Sequence, residues 1–145
     1  MKKIIKSLLK PFSFKKEALV LDAGCGTGGK LSFLREFGHI FGVDMSHHAA
    51  CFIRKRGVRD FMLASVESLP FKSESFDMVT SFEVIECLHD DLTALKEYYR
   101  ILKKGGILLI SEVAFDFLSG EHDLAVGIKR RYTRPGITKI FAQAG

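Results

Sequence analysis

The stretch Ala18-Leu19-Val20-Leu21-Asp22-Ala23-Gly24-Cys25-Gly26-Thr27-Gly28 decides the fold of this chain. A short apolar run ends at an aspartate and passes directly into three glycines that alternate with other residues. Such a run is typical of a strand buried inside a sheet, and glycine permits the tight backbone turn that follows. The stretch therefore predicts a buried strand and, after it, a loop whose backbone a ligand can approach closely.

The rest of the chain alternates apolar runs with helical patterns. Further strands are predicted at 39–43, 61–64, 76–81 and 107–111. Helices are predicted at 2–10, 29–37 and 46–56, and from Asp90 or Asp91 to Leu102. Strands and helices that alternate at this spacing form a parallel sheet with helices on both faces. We therefore expect an α/β fold with a Rossmann-like, doubly wound parallel sheet that binds ligands at the carboxyl ends of its strands.

Length and composition indicate one ordinary folded domain over residues 1–145. Apolar residues make up 47% of the chain and charged residues 27%, as is usual for globular proteins. The three cysteines are scattered and form no C-x-x-C pair, so we expect free thiols and a cytoplasmic location. His47 and His48 are adjacent on a predicted helix and point apart, so no metal site is predicted.

The net charge of +5 is concentrated at the two ends of the chain. Residues 1–17 contain six lysines and one acid, and residues 129–145 contain five basic residues and no acid. The body between them contains 11 basic and 16 acidic residues, which argues against a nucleic-acid-binding face. The basic N-terminal helix within residues 1–17 has two readings. It packs against the domain, or it rests on an anionic membrane surface.

Two cofactor classes could use the glycine loop. Gly24-x-Gly26-x-x-Gly29 matches the dinucleotide fingerprint, and Asp44 follows 20 residues after Gly24, where a ribose-binding acid belongs. Asp22 separates the two classes, because a carboxylate beside the turn would repel a pyrophosphate. S-adenosylmethionine instead carries an ammonium and a sulfonium group. The charge of Asp22 therefore favours the methyl donor over NAD.

The same loop opens a series of motifs that resembles class I S-adenosylmethionine-dependent methyltransferases. Gly42-Val43-Asp44-Met45-Ser46 looks like the acidic motif after the second strand of that family. The segments 69–71, 75–77, 83–86 and 102–106 look like its later motifs, in the branch that methylates small molecules. The resemblance covers roughly residues 18–113 and implies a sheet of the methyltransferase type.

The resemblance implies which residues hold the cofactor. The loop and the residues at the next strand ends would contact its methionine, ribose and adenine parts, namely Asp22, Gly24, Gly26, Gly28, Asp44, Met45, Ser65, Val66, Glu67 and Glu83. Asp44 would accept hydrogen bonds from the ribose hydroxyls, and Met45 would pack against the adenine. Ser65 departs from the family, which usually has an aspartate there.

Methyl transfer depends mainly on holding the acceptor in line with the methyl group. An oxygen or nitrogen acceptor also requires a group that removes a proton, and the candidates at the strand ends are Glu86, His89 and His122. We predict methyl transfer from S-adenosylmethionine to a small-molecule acceptor. A non-catalytic or impaired S-adenosylmethionine-binding module is the alternative, and an NAD-dependent oxidoreductase is less favoured.

The family usually completes its sheet with two antiparallel strands after a last helix. Residues 132–145 resemble that helix, so we expect a C-terminus that lacks the last two strands. An open sheet edge can pair with another chain, and we therefore expect a homodimer formed through this edge.

Overall fold

The computed structural model describes residues 2–115, 120, 123 and 127–145. Within them, five strands form one parallel sheet: β1 Leu19–Ala23, β2 His39–Asp44, β3 Phe61–Leu63, β4 Phe76–Phe82 and β5 Leu102–Ser111. The same described residues contain five α-helices: α1 Lys2–Leu9, α2 Leu31–Leu34, α3 His47–Lys55, α4 Asp91–Ile101 and α5 Arg134–Ala144. Single 3-10 turns lie at Arg35–Phe37 and Ile85–Cys87.

The strand order is β3-β2-β1-β4-β5. The chain builds outward from β1 through β2 to β3 and then crosses back to place β4 on the other side of β1. The point between β1 and β4 is therefore a topological switch point, where loops leave the sheet in opposite directions and a crevice opens between them. The predicted doubly wound parallel sheet is confirmed.

The sheet is covered on both faces because successive residues of a buried strand point to opposite sides. Val20 belongs to a core with α1, α2 and α3, whereas Leu21 belongs to a core with α4 and α5. Full burial of one such aliphatic side chain contributes about 1.5–3 kcal/mol.

Among the described residues, no helix is long and apolar enough to cross a membrane.

The helix predicted at 29–37 is shorter in the structure. It begins at Leu31 because Gly28, with φ of +79°, and Gly29 prolong the loop. The α-helix ends after one turn at Leu34 and continues as a 3-10 turn to Phe37. Only the central part of the prediction is therefore regular α-helix.

The predicted start of β5 at Ile107 is also wrong. The strand begins at Leu102, directly after α4, and includes the glycine pair Gly105-Gly106. Phe76 of β4 lies opposite Leu102, whereas Met78 lies opposite Ile107, so β5 carries extra residues there. Gly105, with φ of +76°, allows this irregularity without ending the strand.

The loop after β4 is held in place by the segment that precedes α5. Asp91, the first residue of α4, is buried and pairs with the Arg130 guanidinium at 2.7 Å. The Tyr132 hydroxyl donates to the same carboxylate at 2.8 Å. The Lys129 amide donates to the Glu86 carbonyl at 2.8 Å. These contacts fix the backbone on one side of the crevice.

Candidate functional site

A cavity of about 500 Å³ opens at the carboxyl ends of β1, β2 and β4, within the size range of small-molecule sites. Its walls are the glycine loop after β1, the turn after β2, the segment after β3 and the loop after β4. The lining residues are Gly24, Cys25, Gly26, Thr27, Gly29, Lys30, Asp44, Met45, Ala64, Val66, Phe82, Glu83, Val84, Cys87 and Leu88.

The glycine loop is attached to the end of β2. The amides of Gly24 and Cys25 both donate to the Val43 carbonyl, at 2.8 and 2.9 Å. Gly24 has φ of +75°, and a Cβ there would lie 2.4 Å from Cγ2 of Val84. Gly26 also has a positive φ, but a Cβ there would meet nothing within 4 Å. Gly24 therefore makes room for a neighbouring side chain, whereas Gly26 leaves open space in the cavity.

Asp44 supports the loop and retains hydrogen-bonding capacity for a ligand. Its Oδ2 accepts from the Gly26 amide and its Oδ1 from the Ser46 amide, both at 2.8 Å. A carboxylate has about four lone-pair sites, so about two remain for hydroxyl donors. The carboxylate is half-buried at the cavity wall. It can therefore accept hydrogen bonds from a diol without losing its contacts with the loop.

Asp22 lies beneath the loop and is not among the lining residues. Its side chain is 2% exposed, and its Oδ1 accepts from the Thr80 hydroxyl at 2.8 Å. Burial raises the pKa of Asp22 to about 6, although the Thr80 hydrogen bond and the Lys30 charge oppose the shift. The structure thus places a titratable carboxyl group under the floor of the cavity.

Two further predicted residues lie on the rim. Met45 is 71% exposed although it is apolar, which suits a surface that a flat ring would cover. Glu83 has φ of +62°, an unfavourable conformation for a residue with a side chain. Its amide donates to the Ser111 carbonyl at 2.7 Å, which holds the strained backbone. Such strain is frequent at functional sites.

Of the ten residues predicted to hold a cofactor, six line the cavity: Gly24, Gly26, Asp44, Met45, Val66 and Glu83. Gly28 lies behind the loop, where a Cβ would lie 3.2 Å from both Ile53 and Leu31. Ser65 and Glu67 lie just outside the lining, and the Ser65 hydroxyl accepts from the Glu67 amide at 3.1 Å.

Of the three proton-transfer candidates, the two that lie among the described residues, Glu86 and His89, do not line the cavity. Glu86 is 2% exposed, and its Oε2 accepts from the Val113 amide at 2.7 Å. His89 is exposed, and its carbonyl accepts from Arg130. His122 lies outside the described residues. Glu86 therefore holds two backbone segments together, and His89 is exposed outside the cavity lining.

Glu112, which the sequence analysis missed, is the partner of Glu86. Its Oε2 accepts from the Glu86 amide at 3.2 Å, at the start of the 3-10 turn. Burial, with a smaller contribution from the nearby Glu86 carboxylate, raises the pKa of Glu112 to about 8, although hydrogen bonds from backbone amides oppose the shift. Glu86 and Glu112 lie 26 residues apart in the sequence, one after β4 and the other after β5. The two strands are parallel neighbours, so the sheet brings their carboxyl ends together.

Lys30, unlike Glu112, lines the cavity, and the sequence analysis missed it as well. Its Nζ lies 5.1 Å from the centroid of the Phe82 ring. A lysine directly after a glycine loop was the available signal, but it was read only as part of a helix.

Residues 21–110, more than half of the chain, match the family described as "Methyltransferase domain". A malonyl-[acyl-carrier protein] O-methyltransferase from Hamiltonella defensa is 32% identical over 88% of this chain and 49% of its own length. A demethylmenaquinone methyltransferase from Anoxybacillus flavithermus is 31% identical over 96% of this chain and 62% of its own length.

A crystal structure of an S-adenosylmethionine-dependent methyltransferase from Thermotoga maritima has the same fold. It superimposes with a TM-score of 0.78 and 32% identity, covering 99% of this chain and 68% of that one. The chain spans about half the length of the curated relatives it matches.

The buried Asp22 predicts a pH-dependent stability. Its pKa of about 6 in the folded state exceeds the value of 3.8 for an exposed carboxyl, so the folded form binds more protons between about pH 4 and 6. This group therefore destabilises the fold as pH rises through that window. We expect the free energy of unfolding of Asp22→Asn, relative to that of the native chain, to rise by about 3 kcal/mol from pH 4 to pH 7.

Urea unfolding of both proteins at a series of pH values measures this difference. Asp77→Asn is the matched control, because contacts with Lys103 and the Leu19 amide outweigh desolvation and lower the pKa of Asp77. The free energy of unfolding of Asp77→Asn, relative to that of the native chain, should therefore fall as the pH rises. A difference between Asp22→Asn and the native chain that stays constant with pH would contradict the assignment.

Proposed function

The chain belongs to the methyltransferase-domain family, and from that premise we propose that it transfers a methyl group from S-adenosylmethionine to a small-molecule acceptor. One observation carries the proposal. One cavity at the switch point of the sheet contains both the unobstructed backbone of Gly26 and the carboxylate of Asp44, which still has room to accept hydrogen bonds. That pair suits an adenosine ligand whose ribose hydroxyls reach Asp44.

The charges around the cavity support the methyl donor over a dinucleotide. Asp44 and Glu83 line the cavity, and Asp22 lies directly beneath it. A pyrophosphate at the glycine loop would meet the carboxyl groups of Asp22 and Glu83, with Lys30 as the one cation in the described lining. The ammonium and sulfonium of S-adenosylmethionine would instead be attracted by the carboxyl groups. The exposed Met45 and the buried Val66 supply apolar surface for a purine ring.

S-adenosylmethionine supplies an activated methyl group on its sulfonium, and this chain's residues position the reactants. Asp44 orients the ribose, and the glycine loop shapes the floor of the cavity. Val84 and Leu88, on the loop after β4, supply an apolar wall on this side of the cavity. Alignment of the acceptor with the methyl group supplies most of the rate enhancement in such a displacement.

A non-catalytic binding module is the second candidate. The observation that favours it is that neither Glu86 nor His89 lines the cavity, since Glu86 holds the Val113 amide and His89 is exposed. An acceptor that needs no proton removed would avoid this difficulty. The named relatives act on different acceptors, so the acceptor of this chain is proposed only as a small molecule.

Calorimetric titration with S-adenosylhomocysteine and, separately, with NADH tests the cofactor. We expect saturable binding of S-adenosylhomocysteine and none of NADH. Asp44→Asn should weaken binding by about tenfold or more, because a charge-assisted hydrogen bond contributes about 1.5–3 kcal/mol. Asp60→Asn is the matched control, because Asp60 lies at the opposite ends of the strands beside His39.

Binding of NADH alone would refute the proposal. A labelled methyl donor incubated with panels of small acceptors then separates the two candidates. Transfer to any acceptor supports the enzyme, and cofactor binding without transfer to any acceptor supports the module.

A homodimer through the sheet edge belongs to the same proposal. The ten-residue strand β5 pairs only with β4 among the described residues and is partly exposed along its length. An exposed strand of this length offers backbone donors and acceptors to a second copy. We expect twice the mass of the chain in light scattering, and a monomer at all concentrations would contradict the dimer.

Membrane contact through α1 is supported by its exposed face. Ile5 and Leu9 are buried, but Ile4 and Leu8 are 64% and 55% exposed beside Lys3 and Lys10. Anionic lipid suits such a combination of apolar and basic residues. We expect the chain to sediment with phosphatidylglycerol vesicles and not with phosphatidylcholine vesicles.

The double variant Ile4→Ser, Leu8→Ser should lose this binding. The control Phe52→Ser, which removes a partly exposed apolar side chain from α3, should keep it. Equal sedimentation of all three proteins would end the idea.

A single domain over residues 1–145 and a cytoplasmic location complete the proposal. The three cysteines, all within the described residues, form no disulfide, which supports a reducing compartment.

A further inference from the structure

Lys30 is the one cationic side chain among the described residues that line the cavity. The other charged lining residues are Asp44 and Glu83. Since polar groups in a binding cavity fix the orientation of its ligand, a single cation marks the place where an anionic group of the ligand fits.

The ammonium of Lys30 is held in a way that leaves it available. Its Nζ lies 5.1 Å from the centroid of the Phe82 ring, at the end of β4. No carboxylate within the described part of the chain lies within salt-bridge distance of it. A cation–π contact of this kind is weaker than a buried pair with a carboxylate. A ligand carboxylate can therefore recruit the ammonium.

The positions of the lining residues give the cavity two ends. Asp44 and Met45 follow β2, and Val66 follows β3, on one side of β1. Lys30 contacts the end of β4, and Glu83 follows β4, on the other side of β1. One end of a ligand that lies across the carboxyl end of β1 would contact the Asp44 carboxylate and the apolar side chains beside it. The other end of the ligand would contact one negative and one positive side chain, Glu83 and Lys30.

We propose that Lys30 binds the carboxylate at the amino-acid end of the cofactor, with Glu83 facing the ammonium of the same group. The inference rests on the proposed function, because S-adenosylmethionine is the ligand that combines adenosine with an amino-acid zwitterion. Lys30 is a specificity-determining residue in this arrangement. It distinguishes ligands that carry the amino-acid end from those that end at the thioether.

Two ligands of known structure separate the ends of the cavity. S-adenosylhomocysteine carries the amino-acid group, whereas methylthioadenosine has the same adenosine and sulfur but lacks that group. Calorimetry with both ligands on the native chain and on Lys30→Met tests the assignment. We expect the variant to bind S-adenosylhomocysteine about 10- to 100-fold more weakly and methylthioadenosine as tightly as the native chain does.

Two further variants complete the experiment. Lys30→Arg keeps the positive charge and should retain most of the affinity for S-adenosylhomocysteine. Lys55→Met is the matched control, because Lys55 also lies over a phenylalanine ring, Phe52, but outside the cavity. It should leave both affinities unchanged.

The inference is overturned if Lys30→Met leaves the affinity for S-adenosylhomocysteine unchanged, or if it lowers the affinities for both ligands equally. In the second case Lys30 merely supports the packing of Phe82. Both results leave the proposed function standing, because the native chain still binds the cofactor product. Failure of the native chain to bind either ligand overturns the proposed function and the inference together.

Discussion

The site depends on how the loop after β1 is fastened to the end of β2. The Val43 carbonyl accepts two loop amides, and the Asp44 carboxylate accepts a third from Gly26. These three hydrogen bonds give a glycine-rich segment, which would otherwise be among the most mobile in the chain, a fixed position. The carboxylate that would bind the ligand is the same group that shapes the loop. Binding and loop geometry are therefore coupled through one side chain.

The opposite wall of the cavity is organised by buried acids. Glu86 and Glu112 both accept backbone amides, and Asp91 joins Arg130 and Tyr132 beneath the same loop. Buried carboxylates are costly unless they are paired or hydrogen-bonded, and here each has such partners. This wall is a network of polar contacts, whereas the helices on the two faces of the sheet are held mainly by apolar packing. Acids at strand ends thus serve the structure of the wall as well as chemistry in the cavity.

Sequence patterns predicted the sheet well because its strands are buried. The apolar run before Asp22 and the acid at Asp44 fixed the first two strand ends, and with them one wall of the cavity. The pattern failed at Lys103–Gly106, where a glycine pair normally signals a turn but here sits in a strand irregularity. It also could not show that Glu86 is occupied by a backbone amide, because its partner Val113 lies 27 residues away. Contacts between strand ends depend on topology, which residue spacing expresses only indirectly.

Lys30 illustrates the same limit from the other side. A helical pattern describes how its backbone continues, but only the position of Phe82 on the neighbouring strand shows where the side chain points. Local sequence therefore identified the residues that shape the loop and missed the charge that the loop presents to the cavity.

The contact between Gly24 and Val84 bears on how this family of sequences can diverge. The space that a side chain at position 24 would fill is already taken by the Val84 methyl groups, and the positive φ keeps glycine at position 24 in any case. The side chain at position 84 can therefore vary only within the space left by the missing side chain of Gly24. Homologues should show an invariant glycine here and, opposite it, a residue whose bulk covaries with the backbone spacing of β1 and β4. The two positions are 60 apart in the chain, yet they compete for the same space.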